Sequence, residues 1–254
     1  MITDAHKTLM SMRKQTTVIG TVDIFIASMP RNFHILKTIE SLINQPDLNK
    51  IFLICNCYDD KQYKYVLNQL HTYRNIIIFR RDNRFGCSER FFPMQMSTSK
   101  YIAFADDDLI YPETYLADLI RAADKYKALV SFHGCILFEG EIKNYYKDRK
   151  CYRCLGTVEN DFEVDIVGVG ASLCERALFS KIGVENYYSM ILEPNMDDIY
   201  YSYLAAQNGI KRYVIAHSEG YLQHKVKEPG DNYIFDKKRK NCEPQTNFVN
   251  EYFK

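Results

Sequence analysis

The sequence predicts an α/β chain whose mixed, mostly parallel sheet is flanked by helices. Short apolar runs of strand character alternate with stretches of helical periodicity through the first half of the chain, the pattern of parallel strands joined by covering helices. In addition, an acidic cluster, FADDD at 104–108, directly follows an apolar run. It therefore falls at the carboxyl end of a strand, where sheets of this kind bind ligands.

Each element follows from its local pattern. TVDIFIASM reads as the first strand, and RNFHILKTIESLINQ as a helix with Phe33, Leu36, Ile39, Leu42 and Ile43 at helical spacing. KIFLICN, NIIIF and KYIAFA supply further strands, and YKYVLNQLHTY a second helix. PETYLADLIRAADKYKA is a helix with Pro112 near its first turn and Leu116, Leu119 and Ile120 on one face. ALVSFHGCILF reads as one strand. The polar, Tyr-rich stretch 138–167 has weak periodicity and is expected to lie over the active face. VGVGASLCERALFSKIG predicts a Gly-bracketed turn and a helix, MDDIYYSYLAAQNG a helix closed by Gly209, and KRYVIAHSEGYLQHKV one or two strands ending in His224.

Composition narrows the class. The chain has 254 residues, 46% apolar and 26% charged, far from the signature of disorder and long enough for a substantial core. No repeat or Gly/Ser/Pro linker divides it. The expected layout is an N-terminal extension at 1–20, one domain at 21–226 and a C-terminal tail at 227–254 packing on or near the active face. A net charge of +1 gives no global field toward nucleic acid. Only the run DKKRK, with Lys237, Lys238, Arg239 and Lys240, could make a peripheral membrane contact; otherwise it is a solvated face. The first twenty residues have no continuous apolar core, and nowhere is there a run of the ~18 apolar residues a membrane helix needs, so a cytoplasmic protein is expected, peripheral at the inner membrane face if that contact forms. The eight cysteines are expected as free thiols. Cys55 with Cys57 and Cys151 with Cys154 could be read as a zinc site, but the first pair lies in a strand-like run without a knuckle turn.

Four constellations carry chemistry. Asp106, Asp107 and Asp108 cannot all point one way along extended backbone, so two converge and one does something else. Like charges so close need a cation or donors among them. Mg²⁺ or Mn²⁺, which takes one or two carboxylates and completes its shell with water and phosphate oxygens, fits that need; helix capping by Asp108 is the alternative. Asp197 and Asp198 open a helix, where they either favour its N-terminus or take a proton from an acceptor hydroxyl. Asn83, Arg84 and Arg90 in NRFGCSER, with Gly86, form a cationic turn suited to a diphosphate or donor sugar. His224 is either structural or a metal ligand.

FADDDLIYP, VGVGASLCERALFSKIG, MDDIYYSYLAAQNG and YLQHK, in this order, resemble a GT-A nucleotide-sugar glycosyltransferase of the family 2 type over roughly residues 20–226. NRF, DDD and NMDDI are also similar to motifs of the exostosin-like family 64. The resemblance implies a metal-dependent transferase moving sugar from a UDP-sugar to a hydroxyl of a glycan or lipid-linked acceptor, a hexosyl- or N-acetylhexosaminyltransferase of surface polysaccharide or glycoconjugate synthesis. It implies Asp108 as the metal ligand, Asp106 or Asp107 at the ribose or the metal's water shell, and His224 at metal or phosphate. Ala27, Ser28 and Arg31 would lie beside the base and phosphates, and Asn56 and Asp59 at the uracil or ribose. Gly170 and Ala171 would lie under the donor sugar and acceptor. Asp198 matches the usual base, with Asp197 where the family has glutamate, which leaves open which of the two acts. Inversion is favoured over retention. Clustered aspartates also suit a two-metal phosphoryl-transfer enzyme, but neither an early Asp-x-Asp nucleophile motif nor a Gly-rich phosphate loop is found. A non-catalytic sugar-nucleotide or glycan-binding module is the third reading.

Overall fold

The structure is a computed structural model that describes residues 21–31, 34–182, 194–224 and 241–253. The expected extension at 1–20 and the basic run at 237–240 lie outside them. In chain order the elements are β1 (Val22–Ser28), α1 (His34–Leu42), β2 (Leu48–Asn56), α2 (Asp60–Leu70), β3 (Ile76–Arg81), β4 (Tyr101–Asp106), β5 (Leu109–Ile110), α3 (Tyr115–Tyr126), β6 (Leu129–Ser131), β7 (Gly134–Leu137), β8 (Arg149–Tyr152), β9 (Phe162–Glu163), β10 (Ile166–Val167), β11 (Ala171–Glu175), α4 (Arg176–Ile182), α5 (Asp197–Gln207), β12 (Arg212–Val214), β13 (Gln223–His224) and α6 (Glu243–Tyr252).

The main sheet runs β3-β2-β1-β4-β11-β6-β12-β9. Strands β3, β2, β1 and β4 pair in parallel, because α1 and α2 return the chain to the same edge each time, as crossover connections do. β11 then runs antiparallel between β4 and β6. Alternate side chains of β1 feed two cores: Phe25 enters one with Phe104, Tyr201 and Phe248, while Ile24 and Ile26 enter the other with Ile35, Ile39, Val66 and Leu119. A sheet buried on both faces reads as a continuous apolar run rather than an alternation, which is why IFLIC is legible as a strand. Removing any of these side chains from water contributes about 1.5–3 kcal/mol.

Three expectations change. ALVSFHGCILF is not one strand: β6 joins the main sheet, while β7 leaves it to pair with β8 and β10 in a second, three-stranded sheet. The turn expected at 167–171 is followed by a strand, β11, before the helix begins at Arg176. Nor does the fold stop near 226. Helix α6 buries Val249 completely and Phe248 almost so, stacks Phe248 edge-on to Tyr200 and ties to the 142–146 segment through Asn250 and Thr246. Its apolar face is core, so this part of the expected tail is an integral element. Gly209 does close α5, with φ +67. Among the described residues no helix is long and apolar enough to cross a membrane.

Candidate active site

The three aspartates separate: Asp106 ends β4, and Asp107 and Asp108 form the turn that leads into β5. Asp107 turns inward and is 4% exposed, whereas Asp106 and Asp108 stay partly open. The Asp107 carboxylate accepts from the Met29 backbone N–H at 3.1 Å and from the Arg31 guanidinium. Arg31 Nη1 also lies 3.5 Å from Asp108 Oδ2, and His224 Nε2 lies 3.5 Å from the same oxygen. The register explains the histidine: β13 pairs antiparallel with β5, setting His224 opposite Leu109. Burial pushes the Asp107 carboxyl up to about 6 despite Arg31. For Asp108 burial acts in the same sense, but His224 and Arg31 outweigh it and hold the carboxyl below its ordinary value. The crowding is thus answered in part by the chain's own cations.

Arg90 compensates the first aspartate. It is 2% exposed, its Nη2 donates to Asp106 Oδ1 at 3.0 Å, and its Nε lies 3.5 Å from Asp197 Oδ2. The NRFGCSER segment winds into a 3₁₀ helix over Gly86–Phe91, which aims Arg90 inward instead of at solvent. Asn195 fastens the same segment, accepting from Cys87 N–H at 2.9 Å. A Cβ at Gly86 would come within 2.1 Å of the Asn195 side-chain oxygen, and Gly86 has φ +60, so this close approach requires glycine. Replacing Arg90 by methionine leaves buried Asp197 without its cation and is expected to cost roughly 3 kcal/mol, read as a lower urea midpoint at unchanged m.

On the opposite side of Asp106, Gly170 begins the turn into β11. The Asp106 N–H donates to Gly170 O at 3.0 Å, and Tyr111 Oη donates to that carbonyl at 2.7 Å. A Cβ on Gly170 would stand 1.9 Å from Asp106 Oδ2. Gly170→Ala therefore forces the carboxylate off Arg90, with an expected loss of about 1–3 kcal/mol measurable by thermal unfolding. Ala171 is buried opposite Ala105. One residue before Gly170, the Val169 N–H donates to Asp198 Oδ1 at 2.7 Å. Asp198 is the second residue of α5 and is partly exposed; burial first, then the adjacent Asp197, pushes its carboxyl up to about 7. Asp197 is raised by burial as well.

The remaining candidates spread along the carboxyl edge. Ser28 is buried with its Oγ 2.9 Å from Tyr58 Oη, and Ala27 is buried within β1. Asn56 Nδ2 donates to Gly86 O at 3.3 Å, while its buried Oδ1 has no hydrogen-bond partner among the described residues. Asp59 caps α2 in a capping box with Gln62 and lines an open cavity of about 640 Å³ together with Arg84, Phe85 and Tyr58. Asn83, between the lining residues Asp82 and Arg84, sits in the left-handed region, φ 64. Residues not singled out in the sequence also belong here. Tyr111 and Asn195 act through one hydroxyl and one amide, which no spacing announces. Burial, and after it the charges of Asp106, Asp108 and Asp198, push the Cys154 thiol up to about 12.

The model of the family described as glycosyl transferase family 2 matches residues 24–183, more than half of the sequence. The chain belongs to glycosyl transferase family 2. Among curated proteins none matches it. Solved structures similar to this family 2 chain include GalNAc-T7 with UDP, GalNAc and Mn²⁺, at TM-score 0.63 and 15% identity over 84% of this chain and 45% of that one. The Pyrobaculum calidifontis mannosyltransferase PcManGT with GDP-Man and Mn²⁺ gives TM-score 0.54 and 14% identity over 84% and 59%. Residues 1–349 of S. aureus TarS with UDP-GlcNAc give 0.54 and 11% over 84% and 62%. The family 2 chain spans less than two thirds of each of these, and at such identities the likeness establishes the fold, a GT-A glycosyltransferase fold.

Proposed function

We propose that the chain is a metal-dependent glycosyltransferase that moves a sugar from a UDP-sugar to a hydroxyl of a glycan or lipid-linked acceptor. The observation that carries this reading is the meeting of two acidic features at one strand edge: Asp108 with His224 on one side, and on the other Asp198, held by Val169 next to the Gly170 that packs against Asp106. The first group suits a hard divalent cation. Among the described residues no three His, Cys, Asp or Glu side chains converge, and a carboxylate with one imidazole, the rest of the shell coming from diphosphate and water, is a donor set that Mn²⁺ or Mg²⁺ accepts. Asp108 and His224 would hold the ion, which when bound would offset negative charge on the departing diphosphate.

The chain's own residues account for the rest. Arg31 is raised further above its ordinary value by Asp107 and Asp108, though burial opposes it, and lies in the loop after β1 where a diphosphate would sit. Arg84 at the cavity rim is the exposed cation of the 83–91 segment. Arg90, being buried, positions Asp106 and Asp197. Asp198, whose proton affinity is raised to near neutrality, is suited to take the acceptor hydroxyl's proton as the new bond forms, which supports inversion. To test the reading, the protein is incubated with Mn²⁺ and a panel of UDP-sugars, with GDP-mannose alongside, and nucleotide release is followed. Release that stops with EDTA supports the transferase; phosphodiester cleavage without acceptor points to the hydrolase, and tight binding without turnover to the module. NMR of the product's anomeric proton then decides stereochemistry.

A further inference from the structure

In the second sheet, β7 and β8 place Cys135 directly opposite Cys151. Residues paired across antiparallel strands have Cα atoms about 4.5–5.5 Å apart, inside the ~4.4–6.8 Å range that a disulfide spans. Both are free thiols. Cys135 is 2% exposed, whereas Cys151 is partly open to solvent. Arg149 sits two residues before Cys151, with Nη1 3.7 Å from Cys135 Sγ and its guanidinium 4.0 Å and 4.8 Å from the Tyr145 and Tyr146 ring centres. Among the described residues no salt bridge engages this arginine, so its field falls on the sulfurs. The interaction with Cys135 holds Cys151 down to about 6; burial opposes this, and Arg149 and Arg153 reinforce it. The interaction with Cys151, and after it burial, raise the Cys135 thiol. One partly accessible cysteine facing one buried cysteine beside an arginine is the arrangement of an oxidisable site with its resolving partner.

We propose that Cys151 and Cys135 are a peroxide-reactive dithiol, a modification site that closes to a cross-strand disulfide. The Cys151 thiolate attacks one oxygen of a hydroperoxide and the O–O bond breaks. With hydrogen peroxide, hydroxide leaves and takes up a proton to become water, and Cys151 is left as the sulfenic acid. The Cys135 sulfur then attacks the Cys151 sulfur; its proton leaves with the departing hydroxyl as a second water, and the S–S bond forms. Two thiols lose two electrons and two protons, and the peroxide is reduced. The opposite edge of β7 carries β10, which ends two residues before Val169, so the bridge staples the sheet bordering the segment that holds Asp198. This chemistry does not depend on the sugar-transfer reading.

The test uses the full chain treated with hydrogen peroxide at pH 7, alkylated and mapped as peptides without reduction. The expected result is a linked Cys135–Cys151 peptide pair that disappears with dithiothreitol, and iodoacetamide labelling of Cys151 at least about tenfold faster than that of exposed Cys57. In Cys135→Ser, Cys151 should run on to sulfinic acid; in Cys151→Ser, Cys135 should remain reduced. The proposal is overturned if peroxide that oxidises Cys57 leaves 135 and 151 unlinked, or if Cys151 labels no faster than Cys57.

Discussion

Asp198→Asn is expected to lower sugar transfer by about 10²-fold or more, the scale of a missing general base, while UDP binding with Mn²⁺ stays unchanged. The amide keeps the shape and can still accept from the Val169 N–H, so α5 keeps its place; what is lost is the group able to take a proton. The wild-type rate should also fall about tenfold per pH unit below about 7, because Asp198 is held near that value by burial and by Asp197 and acts only when ionised. The asparagine variant should lack this acidic limb. Folding responds with the opposite sign. The folded state binds this proton more tightly than the unfolded chain, so the contribution is greatest below the ordinary value of 3.8 and fades as pH rises through about 7. Unchanged turnover in the variant would remove Asp198 from the chemistry.

The second large effect is at Asp108. Asp108→Ala should weaken Mn²⁺-dependent UDP binding by about 10²-fold or more, since even residues that merely support a ligand cost 10–100-fold in metal affinity. His224→Ala, which removes the imidazole 3.5 Å from Asp108 Oδ2, should weaken it by about tenfold. The measurement is calorimetric titration of UDP at fixed Mn²⁺, repeated with EDTA. In the wild type the chelator should abolish binding to the same degree as the alanine variant. A titration unaffected by Asp108→Ala would return that carboxylate to a purely electrostatic role beside Arg31.

The strands β1 to β4 were legible because burial on both faces writes them as unbroken apolar runs. β11 was not, because Ala171, Ser172 and Cys174 are small side chains without strand propensity, and its pairing with β4 and β6 is a long-range property. The break after Ser131 was hidden for a similar reason: Phe132, His133 and Gly134 look like any continuation, and only the space beside Val214, within 2.6 Å of a Cβ at Gly134, shows why a glycine stands there. In the site, residue types were readable from the acidic letters, but their partners were not. Arg90 was expected at a diphosphate or donor sugar, and the 3₁₀ turn carries it inward between Asp106 and Asp197. Asp59 was expected at the nucleotide, and its side chain caps α2 at the cavity rim instead of standing free.

The alternation at 106–108 has a bearing on how a saturation mutagenesis map of this protein would look. Three identical neighbours usually back one another up, yet here Asp106 faces Arg90, Asp107 is buried against Arg31, and Asp108 shares Arg31 but adds His224. Tolerance should therefore follow a sawtooth: position 107 would be scored by folding yield, and its neighbours on either side by catalysis in protein that still expresses well.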